Sequence, residues 1–120
     1  MKVRIIISVV ILVSVLTAGT LIVNKVRIFC SDLIELTDEA SETLSVQALD
    51  SIKERWDKKT NLLSALIPHE HIDAVTLSIY RARAFLLSQN EDEYKAEIAE
   101  VIRQLKIVKQ YDFPTVRSIF

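Results

Sequence analysis

The sequence predicts an all-α protein. One N-terminal transmembrane helix continues into a juxtamembrane helix, and a small antiparallel bundle of three helices follows. Three observations predict this. Glycine occurs once, at Gly19, and proline only at Pro68 and Pro114, so the chain lacks hairpin turns altogether. Apolar residues recur every three or four positions from Val26 to Val108, the period of a helix face. Residues 5–23, IIISVVILVSVLTAGTLIV, hold no charge, no proline and no amide. A chain of 120 residues has room for one domain beyond that run.

Residues 1–4 are a short basic N-terminus with Lys2 and Arg4. The run 5–23 comes next, and as a helix it rises roughly 28 Å, close to the hydrocarbon thickness of a bilayer. A cleaved signal peptide is the competing reading, with a small-residue site arguable at Thr17-Ala18-Gly19. Against cleavage, the run exceeds the roughly 7–15 apolar residues of a signal core. Lys25 and Arg27 also close it as a membrane span is closed. Cys30 follows Arg27-Ile28-Phe29, which is not the small-residue context of lipoprotein processing. An uncleaved anchor is expected. Lys2, Arg4 and the amino terminus precede the span, while Lys25 and Arg27 follow it; that margin favours N-terminus in and the helical domain extracytoplasmic.

Residues 24–44 continue as a juxtamembrane helix, with Val26, Phe29, Leu33, Leu36, Ala40 and Leu44 on one face. Asp32, Glu35, Asp38, Glu39 and Glu42 make its other face acidic. Residues 45–113 form the bundle. Its first helix carries Leu49, Ile52, Trp56, Lys59, Leu63 and Leu66, with Lys59 in a seam position where its stem packs and its ammonium reaches water. Pro68 drives Ile67 out of helical geometry and ends that helix. The second carries Ile72, Val75, Ile79 and Leu86, with Leu77 and Tyr80 beside them. Asn90 is placed to cap the third, with Glu93 three residues on as in a capping box. Tyr94, Ile98, Val101, Leu105 and Val108 form its apolar stripe. Residues 114–120 suffice for a terminal turn that could dock Val116, Ile119 and Phe120.

Composition narrows the function. Beyond the anchor, 13 Lys and Arg face 16 Asp and Glu, a net charge of −3, which provides no field for nucleic acid or an anionic lipid surface. The lone Cys30 forms no internal disulfide; pairing with a second copy, acylation and an inert, partly buried thiol are its three readings. A homodimer along the juxtamembrane seam stays open, although that seam is too short for a coiled coil.

His69-Glu70-His71 raises the question of a metal. Helical zinc ligands stand at i and i+3 or i+4, whereas these histidines are i and i+2 and point about 200° apart on a helix. The structural reading is a helix start: Pro68 suits a first turn, Glu70 and Asp73 complement the dipole, and His69 can pair with Asp73. Metal and cofactor are therefore both expected to be none, with His69 and His71 as the weak candidates.

Glu97 and Glu100 are carboxylates on one helix face, but Arg103 and Lys106 lie a turn further on and make a salt-bridged surface the simpler reading. Tyr80, Arg81 and Arg83 beside Phe85 read either as a basic-aromatic partner face or as a core tyrosine flanked by arginines that answer acids on a neighbouring helix. Trp56 is read first as core. As a minority reading it belongs to a partner groove with Lys53, Lys58 and Lys59. No phosphate-binding glycine loop and no nucleophile–base set is suggested.

The same stretch resembles a known family. Trp56-x-Lys58, the apolar run Leu62 to Ile67, His69-Glu70-x-Ile72-Asp73, Leu77-Ser78-Ile79 and Arg81 are similar to the bacterial domain of unknown function 4363, as is the closing Ser118-Ile119-Phe120. The resemblance covers the whole layout, and residues 52–83 in motif. It implies a short Firmicutes protein with one N-terminal span, an all-helical remainder and no established activity. Genes for such proteins lying beside those of multi-spanning membrane proteins imply a membrane partner. His71 departs from the pattern, which has an acidic or polar residue there, so the histidine pair is not a shared feature. The expectation is a non-catalytic single-pass membrane protein, held by the bilayer through residues 5–23, whose helical domain binds another membrane or envelope protein. A membrane-tethered sensory or ligand-binding domain is the alternative, and a small hydrolase using Glu97, Glu100 or His69 the least favoured reading.

Overall fold

The computed structural model describes residues 2–111 and contains four α-helices: α1 (Lys2–Thr43), α2 (Val46–Leu66), α3 (His69–Leu87) and α4 (Glu91–Gln110). Among the described residues there is no strand, so the all-α fold is the one found. The terminal turn expected at residues 114–120, with Val116, Ile119 and Phe120, lies outside the described residues.

α1 is a single unbroken helix of 42 residues, about 63 Å long at 1.5 Å per residue. It sets the 70 × 21 × 19 Å dimensions of the molecule. Its first half is long and apolar enough to cross a membrane, and none of the described residues covers it. The hydroxyls of Thr17 and Thr20 donate back to the carbonyls of Val13 and Leu16, which satisfies those polar groups inside the helix itself.

The second half of α1 buries Val26, Cys30, Leu33, Thr37 and Ala40. It is therefore a full member of the bundle rather than a rod leading to it. α1 packs on α2 and α4, and α3 packs on the same two, so the helices form a ring in chain order with antiparallel neighbours. The expected three-helix bundle is completed by the juxtamembrane helix, since α4 packs on α1 as well as on α3. The centre of the α1 stripe is Cys30 and Thr37, with Phe29 and Leu36 only half-buried. Thr37 is tolerated there because its hydroxyl donates to the Leu33 carbonyl at 2.7 Å.

Each turn has a local cause. Leu44 adopts φ 51°, reversing the chain without a glycine, and is exposed rather than part of the apolar stripe. Ser45 then caps α2, its hydroxyl accepting from the Ala48 N–H at 3.3 Å. Ile67 is extended (φ −128°, ψ 141°), as the following Pro68 requires, and α3 begins at His69. Gln89 takes φ 60°, its N–H reaching the Leu86 carbonyl, while the Asn90 N–H reaches that of Phe85. The Asn90 side chain accepts from the Glu93 N–H, so the expected cap forms. The reciprocal half of a capping box does not, since the Asn90 N–H is already used.

The α4 stripe is buried as the spacing predicts, and α2 buries Leu49, Ile52, Trp56 and Leu63. Two stripes are corrected. Lys59 is exposed and the half-buried Thr60 holds its seam position, shifting the end of the α2 face onto Ile67. On α3, Ser78 and Ala82 are buried while Leu77 and Tyr80 are exposed, because small side chains let α3 and α4 approach closely.

Two tyrosine and tryptophan contacts tie the ring together. Trp56 has no exposed surface; it stacks on Phe29 at 6.4 Å and donates from Nε1 to Thr76 Oγ1 at 2.9 Å. It thus joins α1, α2 and α3. The buried Tyr94 hydroxyl donates to the carbonyl of Ala40. That carbonyl is one of the last four of α1, which have no partner within the helix. Burial raises the Tyr94 pKa, which keeps the phenol protonated as a donor.

Candidate functional site

An open groove of about 680 Å³ lies between α2 and α3. It is lined by Asp50, Lys53, Glu54, Asp57 and Lys58 of α2 and by Tyr80 and Arg83 of α3. On α2 these are the residues left over once the period of Leu49, Ile52 and Trp56 has been turned inward. Arg83 Nε donates to Asp50 Oδ1 at 2.8 Å across the two helices. Lys53 Nζ lies 4.8 Å from the centre of the Tyr80 ring, and that ring is 48% exposed. Glu54 and Lys58 pair along the helix at 3.4 Å.

The groove settles which of the sequence candidates sit together. Tyr80 and Arg83 meet there, each held by a residue of α2. Tyr80 is therefore not core, while Arg83 does answer an acid on a neighbouring helix. Arg81 is exposed but does not line the groove. Trp56 must be removed from the partner face: with no exposed surface and its indole N–H satisfied inside, it presents nothing outward. Asp50 stands outside the sequence reading, and Lys53 enters it only as a neighbour of Trp56. Their signal was available, since they stand three residues apart on the polar face of α2, but nothing in the sequence says which helix that face meets.

The histidines do not converge. His69 is exposed; His71 is half-buried, tilted against the Tyr111 ring at 5.8 Å, with Glu70 Oε1 at 3.9 Å from its Nε2. His69 and Asp73 form no ion pair. Among the described residues no group of three or more His, Cys, Asp and Glu is placed to hold a metal. Glu100 accepts from Arg103 Nε at 3.0 Å and from Gln104, and these bonds, Arg103 foremost, hold its carboxyl down at about 2. Glu97 turns away, with Oε2 shielded from solvent and no protein partner for it. Cys30, seven residues past the apolar run, is fully buried, and that burial pushes its thiol up to about 11 against a smaller opposing effect of Lys109. Neither a second copy nor an acyl donor can reach it in the closed bundle.

The groove thus offers an aromatic face between two ion pairs. No curated protein and no solved structure matches the chain. Residues 21–119, the end of the apolar run and the whole bundle, match the family model described as a domain of unknown function, number 4363, and the chain belongs to that family.

Proposed function

We propose that this is a non-catalytic, single-pass protein of a bacterial cell membrane, anchored by residues 5–23 with its bundle extracytoplasmic, and that the α2–α3 groove docks another membrane or envelope protein. The observation that carries the proposal is Tyr80. A large aromatic ring stands half in solvent, yet it is fixed from one side by Lys53 and flanked by the Arg83–Asp50 pair. Pre-positioned tyrosine and arginine side chains are what protein interfaces use as anchors. The uncovered apolar half of α1 supports the anchor.

A photo-reactive phenylalanine analogue in place of Tyr80 tests it. In intact cells it is expected to give one discrete cross-linked product with a single membrane protein, weakened by Lys53→Ala and Arg83→Ala. The same analogue at Gln47, outside the groove, is expected to give none. Equal labelling from both positions, or only a product with a second copy of the chain, would count against a hetero-partner in the groove.

A further inference from the structure

We propose that the membrane-facing end of the bundle is a lipid-headgroup surface, selective for anionic phospholipid; this rests on the reading of α1 as a membrane anchor. Three observations on independent parts of the structure point to it. The first is spacing. The apolar run ends at Val23, and Val26 is already 4% exposed inside the core, with the helix unbroken between them. Three residues of helix rise about 4.5 Å, less than the roughly 5–7 Å of polar headgroup on each side of a bilayer. There is no stalk, so the bundle's end lies within the headgroup layer.

The second is charge. The ring topology places the end of α2, the start of α3 and the end of α4 level with residues 24–33 of α1. Lys109 acting on Cys30, and Tyr111 against His71, fix that register. In this half of the bundle Lys25 and Arg27 are joined by Lys58, Lys59, Arg103, Lys106 and Lys109. Asp32, Asp57, Glu70 and Asp73 lie in this half too, and Glu54 and Glu100 pair with Lys58 and Arg103, so seven bases meet six acids and the half stays net positive by one. The far half holds the remaining nine acids of the described residues against five Lys and Arg. A total of −3 conceals a basic pole facing the membrane and an acidic pole facing away. The third is apolar exposure. Ile28 is 62% exposed and Leu62 48%, each within about two turns of this end, where they can meet the acyl boundary.

The test uses the full chain reconstituted in nanodiscs of phosphatidylcholine, with or without phosphatidylglycerol, and reads hydrogen exchange of the α2–α3 junction (residues 64–71). Phosphatidylglycerol is expected to slow exchange there about fivefold or more, the equivalent of one lysine's attraction to an anionic leaflet. Raised salt and Lys59→Glu/Lys106→Glu are expected to remove the effect, while Lys95→Glu at the far pole leaves it intact. Exchange identical in the two lipids, with the protein still resisting alkaline carbonate, would overturn the headgroup surface and leave the anchor standing. Extraction by carbonate would overturn both.

Discussion

The two halves of α1 are one helix in two environments. Residues 5–23 are apolar on every side and none of the described residues covers them; residues 26–43 gather most of their apolar surface into one stripe and bury it against α2 and α4. Backbone geometry does not change at the border, and neither glycine nor proline marks it. Only the distribution of side chains around the helix changes. A helix that is hydrophobic all round needs an apolar solvent, whereas a striped one needs neighbours. The difference teaches that the apolar run and the first helix of the bundle are mechanically continuous, and that with the run as the anchor proposed above they are stabilised by different solvents. Perturbations confined to one half should therefore leave the other intact.

The largest effect expected is on the anchor. Val10→Arg with Val13→Arg puts two charges near the centre of the run, each costing roughly 2.5–3.5 kcal/mol in a bilayer. The variant should pass into the supernatant on carbonate extraction, yet the bundle should melt at an unchanged temperature by circular dichroism. A bundle that unfolds as well would show that the two halves are not independent.

Next is the bundle's own centre. Trp56→Ala removes the stacking on Phe29 and the hydrogen bond to Thr76, and a buried change of this size costs about 3–5 kcal/mol. Urea unfolding followed by circular dichroism should move accordingly, with membrane retention unaffected. An unchanged midpoint would mean that Trp56 is not what joins α1, α2 and α3.

A smaller effect is expected where α4 meets the end of α1. Tyr94→Phe leaves the Ala40 carbonyl buried without its donor, for about 1–3 kcal/mol. The loss should appear in the same urea experiment, and hydrogen exchange should rise first at the last turn of α1. If exchange rises instead along α2, the hydroxyl is not serving as the cap of α1.

Much of this comparison was legible in the sequence, for identifiable reasons. The long apolar run, four helical segments, the Pro68 junction and the Asn90 cap each follow from side-chain chemistry within a few residues. What failed needed information from across the ring. Cys30 and Thr37 hold the centre of the α1 stripe although neither reads as a core aliphatic, and Thr37 qualifies only through its bond to Leu33. Leu77 and Tyr80 look more hydrophobic than Ser78 and Ala82, but close packing of α3 on α4 favours the smaller pair. The left-handed turns at Leu44 and Gln89 carry no glycine to announce them. Half of the candidate site was legible: Tyr80 and Arg83 stand out on their own, while Asp50 and Lys53 gain meaning only once α2 is known to lie beside α3.

The smallest effect expected is at the bundle's surface, where charge rather than burial is at stake. The Glu100 carboxyl is held at about 2, below its ordinary 4.5, chiefly by hydrogen bonds from Arg103 and then Gln104. A folded-state pKa below the unfolded value contributes stability above the unfolded value, and loses it as pH falls towards the folded one. Glu100→Gln should therefore destabilise the bundle at neutral pH, with the difference from the unmodified protein fading between pH 4.5 and about 2. Because the pair is exposed to solvent, the loss at neutral pH should stay under about 1 kcal/mol and shrink with added salt. Urea midpoints of the two proteins across that pH range measure it. A difference that persists unchanged at pH 2, or that salt does not touch, would mean the substitution acts through packing on α4 rather than through the Arg103 pair.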